Sequence, residues 1–225
     1  MDAELFLAYA PALASGLGVT ALCWVTGSTG ALLLGLAVAC SVQWGGVMTR
    51  RLLASLTETI RGIPLLIQLF LLYYGLPELG LVLEPLEAGV LGFALYGSPY
   101  YAEVFRAGFQ SVPRGHIEAG RCIALSEATI LRRIILPHML VSITAPLTNV
   151  TIILIKETAV LSVITVPELL YETQSMASET FHYAEPFLAL ALCYWGLVEL
   201  TAWLGRCLEK RMTRHMVRPG ATTRA

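Results

Sequence analysis

Apolar and polar positions divide this chain of 225 residues into five long apolar runs separated by polar breaks. The runs cover about 17–44, 52–76, 86–105, 138–158 and 186–205. A helix needs about 20 mostly apolar residues to cross a hydrocarbon core roughly 30 Å thick. Backbone groups have no water to bond inside lipid, so such runs must be helical or belong to a closed barrel. Their length predicts helices, and the chain reads as an all-α integral membrane protein with about five transmembrane helices. The stretch 161–185 is too polar to span. Within it Thr165-Val-Pro-Glu168 has the spacing of a capping box, with Pro167 tolerated in the first turn, and predicts a short outer or re-entrant helix. There is no internal repeat. Residues 1–218 read as one membrane domain, and 219–225 as a disordered tail.

Composition supports the same reading. Hydrophobic residues make up 56% of the chain and charged residues 14%, where a soluble domain carries roughly 25% charge. The net charge of −1 hides a segregation. Thirteen of the fifteen Lys and Arg fall within 50–51, 106–133 and 206–224, leaving only Arg61 and Lys156 elsewhere. Short loops rich in Lys and Arg stay cytoplasmic. Five spans then alternate in one way only, with the N-terminus outside and the C-terminus cytoplasmic. Five cysteines, mostly in or beside apolar runs, read as small hydrophobes rather than a disulfide framework. Asp2 and Glu4 stand where a cleavable leader would be basic, so none is expected.

Three runs contain an internal proline: Pro64, Pro99 and Pro146. Each removes a backbone donor and frees the carbonyl four residues earlier, at Ile60, Leu95 and Ser142. In lipid those carbonyls need other partners, so the breaks either kink helices for packing or line a wet interior.

The basic stretch 106–136 is too long for a structureless connection. Pro113 and Ser126 are plausible starts of two short amphipathic helices, and small residues at 119, 120 and 124 form a face that permits close approach. Such an element suits docking on a partner.

The stretch resembles the cytoplasmic motif of ABC importer permeases: Glu-Ala-Ala, three residues, Gly, nine residues, Ile-x-Leu-Pro. Glu118, Ala119, Gly120, Ala124, Ile134, Leu136 and Pro137 match that spacing. Gly120 stands where the second Ala is usual, and Ala124 where the Gly is usual. The blocks 61–77, 102–115 and 156–169 look like the polar amino acid (histidine, glutamine or arginine) branch of the same family. The resemblance implies a permease subunit in the bacterial cytoplasmic (inner) membrane. It also implies a coupling loop at about 110–137 that seats on a separate cytoplasmic ATPase subunit through Glu118, Ala119, Gly120 and Ala124. A second permease chain, identical or similar, and an external amino-acid-binding protein would complete the assembly. The chain has no phosphate-binding Gly-Lys-Ser/Thr loop, and its only lysines are Lys156 and Lys210. ATP hydrolysis is therefore expected from a partner, and no cofactor or metal is implied.

Ionisable groups at membrane depth are costly and mark functional sites. Lys156 and Glu157 could meet the carboxylate and ammonium of an amino acid, or form structural pairs with residues such as Glu58 or Arg61. Asn149 and Gln68 could bind a polar ligand, Asn149 alternatively satisfying freed carbonyls. Thr158 follows in the same block. Glu58 with Arg61, and Glu103 with Arg106, read as local ion pairs at the cytoplasmic border. The rival readings are an ATP-independent channel or secondary carrier, which needs no docking loop, and an intramembrane enzyme, for which no constellation exists.

Overall fold

In a computed structural model the described residues are 3–213, with side chains described for 8–213, so the tail at 219–225 lies outside them. All regular structure among these residues is helical. The order is α1 (Ala3–Trp44), α2 (Val47–Gly62), α3 (Leu65–Phe70), α4 (Pro85–Gln110), α5 (Arg114–Cys122), α6 (Glu127–Ile130), α7 (Leu136–Glu157), α8 (Leu169–Thr180) and α9 (Ala184–Thr213). A π-turn (Leu71–Gly75) and a 3-10 turn (Leu76–Leu79) extend α3, a second π-turn (Leu131–Ile135) joins α6 to α7, and a 3-10 segment (Thr158–Ile164) follows α7.

Five long elements correspond to the five apolar runs, with one correction. The segments Ala8–Trp44, Glu127–Ile164 and Ala184–Thr213 are long and apolar enough to cross a membrane, and Val47–Gly62 with Leu65–Leu79 counts as a fourth only as a bent pair. α4 does not meet that standard of apolarity. It is the central helix instead, with twelve buried residues including Phe93, Tyr101 and Phe105. A helix wrapped in protein does not have to be as apolar as one wrapped in lipid. The expected span at 52–76 is not straight: α2 meets the segment Leu65–Leu79 at 101°. The break is at Pro64, whose ring cannot continue the helix.

Small residues set the closest approach, between α1 and α4. A Cβ added at Gly35 would come within 2.7 Å of the Ser98 carbonyl oxygen and 2.8 Å of the Ala102 nitrogen. Backbone atoms cannot yield, so only glycine allows this crossing. This is how membrane helices gain packing without a hydrophobic drive between them. Tyr101 and Thr151 share a hydroxyl hydrogen bond of 2.8 Å, and the Trp24 indole donates to the Thr151 carbonyl at 3.3 Å. α1, α4 and α7 are thus locked at one level.

Two of the three carbonyls freed by proline have identifiable partners. The Gln68 amide donates to Ile60 at 2.8 Å and also to Ile63 at 2.8 Å. The buried Ser98 hydroxyl donates to Leu95 at 2.9 Å. Both bonds give a partner to an acceptor that the proline would otherwise leave without its helical donor.

The helix after the fourth span is present, but its cap differs from the expectation. Thr165 has φ 64 and ends the 3-10 segment, while Glu168 is itself the N-cap of α8. Its carboxylate accepts from the Tyr171 N–H at 2.8 Å and the Leu170 N–H at 2.9 Å. The Tyr194 and Thr20 hydroxyls donate to it at 3.3 and 3.4 Å. Thr20 in turn accepts from the Leu169 N–H at 3.0 Å. Glu168 thereby ties α8 to α1 and α9. Glu168→Ala removes the cap and leaves several buried donors unpaired, a loss of about 2–4 kcal/mol. It should lower the melting temperature of the detergent-solubilised protein well below that of Glu168→Gln, which keeps an acceptor.

The described residues of the three basic zones, the third followed as far as Arg211, gather at one end of the bundle. Trp44 at the end of α1 packs edge-on against Phe109 at the end of α4, with ring centroids 5.5 Å apart. The start of α7 and the end of α9 share one pocket, where Leu140 faces Leu208 and Met212.

Candidate functional site

The loop between α4 and α7 is a helical hairpin. α5 begins after Pro113, and Ser126 caps α6 by accepting from the Thr129 N–H at 3.3 Å. Arg121 clasps the two arms, donating to the Glu127 carboxylate at 2.8 and 3.2 Å. This contact holds the Glu127 carboxyl below its usual range. A depressed carboxyl contributes stability above its unfolded value and loses it only as pH falls through the folded one. The clasp therefore stays charged at neutral pH.

The small-residue face predicted for this hairpin is split by the fold. Ala119 and Ala124 are exposed, but Gly120 is buried. A Cβ at Gly120 would lie 3.0 Å from Ile134 Cδ1 and 3.1 Å from Ile130 Cγ1. Gly120 therefore serves contact between the hairpin's own arms. Ala124 carries φ 56, in the left-handed region. This explains on physical grounds why a glycine suits that position, since a Cβ there costs about 1 kcal/mol. Ala124→Gly should therefore slow amide hydrogen exchange in α5 by about fivefold. Beside the turn, Ile123 is 71% exposed at the tip. His116, Ala119, Gly120, Ile123, Arg133 and His138 line an open groove of ≈ 590 Å³.

A second set of residues runs along the bundle. On α7, Ser142, Pro146, Asn149, Ile153 and Lys156 are all exposed and recur every three or four residues, so they form one stripe. Asn149 and Lys156 lie seven residues apart on it. Neither makes a hydrogen bond or ion pair within the chain among the described residues, and the alternative pairing of Lys156 with Glu58 does not form.

Glu157 is half-buried and lies close enough to Tyr96 for its charge to be felt there. On α4 the Tyr96 and Tyr100 rings lie 5.3 Å apart, tilted at 52° to each other, and the Tyr100 hydroxyl donates to Tyr96 at 3.4 Å. The Arg61 guanidinium sits 5.5 Å from the Tyr100 ring centroid, a favourable cation–π geometry. Arg61 does not form the expected pair with Glu58; its guanidinium lies over Tyr100 instead. Glu103 and Arg106 do pair. A polar and aromatic ladder thus leads from Glu157 to Arg106 along one face of α4. Sequence reading missed Tyr96 and Tyr100, although the spacing of 96, 100 and 103 was a visible signal.

Gln68 and Thr158 stand apart from these faces. The Gln68 amide nitrogen is engaged by Ile60 and Ile63. Thr158 is fully buried, donating to the Ile155 carbonyl at 2.6 Å and sharing a 3.1 Å hydrogen bond with Tyr194. On α9, Glu199 faces Arg206 at a long 3.9 Å.

Residues 31–214 match the model of the family described as "binding-protein-dependent transport system inner membrane component". The chain belongs to this family. Among the relatives of this chain is a glutamine transport system permease protein of Rickettsia bellii. It is 38% identical over 157 residues, which cover 69% of this chain and 72% of that protein. A glutamine ABC transporter permease protein of Bacillus subtilis is 33% identical over 202 residues, covering 87% of this chain and 90% of that one. The fold matches a crystal structure of an amino acid ABC transporter with histidines, with a TM-score of 0.87 and 33% identity over 94% of this chain and 99% of that one.

Proposed function

We propose that this chain is the membrane-spanning permease of an ATP-driven, binding-protein-dependent amino acid importer in a bacterial inner membrane. The observation that carries the reading is the clasped hairpin 113–130, which presents Glu118, Ala119 and Ile123 outward at the basic end of a bundle similar to amino acid permeases. A separate cytoplasmic ATPase subunit seats on that hairpin and supplies the energy. A second permease chain faces the stripe on α7, and an external binding protein delivers the amino acid at the opposite end.

Substrate passes between the α7 stripe and the ladder on α4. Lys156 receives its carboxylate and Glu157 its ammonium, while Asn149, Tyr96 and Tyr100 offer hydrogen bonds further along. Gln68 and Thr158 act behind that surface, holding the broken helix and the end of α7. ATP binding draws the two coupling hairpins together and opens the path outward, and hydrolysis reverses it.

The gathering of the described basic residues at one end supports an outside N-terminus and a cytoplasmic C-terminus. Cysteine labelling should place residue 80 outside and residues 120 and 210 inside. Reconstituted with its ATPase and binding protein, the permease should import labelled amino acid only when ATP is supplied. Uptake without the ATPase subunit would overturn the reading in favour of a channel or carrier.

A further inference from the structure

α2 is amphipathic in an inverted sense. Its polar arc, with Thr57, Glu58 and Arg61, turns toward its own chain and lines a cavity of ≈ 230 Å³ against α1 and α4. Its apolar arc turns outward: Met48 is 80% exposed, Leu52 67% and Leu56 51%. None of its residues is buried. In water this arrangement would be unfavourable, so the ridge has a cover.

Two placements are open to a helix beside a spanning segment, and the charges select one. Arg50, Arg51, Glu58 and Arg61 fall within sixteen residues. Crossing the bilayer with them would cost about 2.5–3.5 kcal/mol for each Arg at the helix centre. The 101° angle to the segment Leu65–Leu79 removes the need, turning α2 across the direction of that segment. α1 ends just before it at Trp44, whose ring is 60% exposed, as indoles are at membrane–water borders. α1 itself exposes apolar side chains along its length, among them Leu33, Leu34 and Leu36. Arg50 spends its guanidinium on the Val42 and Gln43 carbonyls at the end of α1. Arg51 has no partner among the described residues and is exposed beside the ridge.

We infer that α2 lies in the plane of the bilayer surface, with Met48, Leu52 and Leu56 among the acyl chains and Arg51 on anionic lipid headgroups. Interfacial helices of this kind sink their apolar face about 5–10 Å below the headgroup boundary. α2 would hold the bend at Pro64 at a set depth and orient Arg61 toward Tyr100. The inference rests on the topology proposed above only for which leaflet is occupied; the depth is independent of it.

The test uses the full chain in nanodiscs with and without phosphatidylglycerol. A nitroxide amino acid is introduced at one position at a time by codon suppression, which leaves the five native cysteines in place. Labels at 48, 52 and 56 should be reached by oxygen and shielded from a water-soluble nickel chelate, while a label at 55 should be open to nickel. Removing phosphatidylglycerol should make the label at 52 shallower, and Arg51→Gln should abolish that response. Nickel access at all three ridge positions would overturn the inference. So would shielding from both reagents with short spin–spin distances, which would assign the cover to a second copy. An unchanged depth without phosphatidylglycerol would overturn the headgroup contact of Arg51. Sidedness, read separately with an impermeant reductant, would bear on the topology alone.

Discussion

Lys156→Met is expected to lower substrate affinity at the membrane site by roughly ten- to a hundredfold, the equivalent of a charge-assisted hydrogen bond of about 1.5–3 kcal/mol. Lys156 is exposed at the end of the α7 stripe with no partner in its own chain among the described residues. A cation so placed is balanced by substrate, by a second copy or by water, and a substrate carboxylate fits the first case. Glu157→Gln should have an effect of similar size, since Glu157 is half-buried beside Tyr96 and would meet the ammonium group. Affinity of the external binding protein should not change, because that protein has its own site. Transport in proteoliposomes, complex yield and substrate binding to the purified assembly separate the possibilities. Loss of transport with normal yield and weakened binding supports the substrate role. Loss of yield, rescued by charge reversal on a second copy, would instead assign Lys156 to an intersubunit pair. Normal transport by both variants would remove these residues from the path.

Ala119→Trp is expected to abolish ATP-driven uptake while leaving the permease inserted and folded. Ala119 is exposed on the outer side of α5 beside the groove lined by His116 and Ile123. A large side chain there would project from the exposed side of α5 and hold an ATPase surface away, since close packing tolerates no such wedge. Glu118→Lys, also on the exposed face, should uncouple in the same way by reversing a charge. Gly120→Trp should fail differently. Its side chain would collide with Ile130 and Ile134 and force the hairpin open. That variant should show rapid proteolysis near Arg121 and reduced yield even without the ATPase. Co-purification of the ATPase subunit and limited trypsin digestion distinguish the two outcomes. Full uptake by Ala119→Trp would show that the exposed side of α5 is not the docking face.

Much of the architecture was legible locally. The apolar runs, the starts of α5 and α6 at Pro113 and Ser126, and the carbonyls freed by Pro64 and Pro99 follow from composition and from relations within four residues. Those features depend on backbone chemistry that any helix shares. The direction of α2 was less legible, because a run of apolar residues does not reveal a bend of 101° in its middle. The cap at Glu168 was misread because its spacing from Thr165 fits a capping box, while the actual assignment depends on Thr20 and Tyr194 from distant helices.

What the sequence determined by itself is that this chain spans a membrane, segregates its basic residues and carries a helical hairpin between its third and fourth apolar runs. Only the tertiary structure decided that Gly120 faces inward, that Gln68 serves Ile60, and that Arg61 rests on Tyr100 rather than Glu58. Each of those outcomes turns on which side chains a bend or a helix crossing brings within a few ångströms. Spacing along the chain carries no record of such distances, and local propensity cannot supply one.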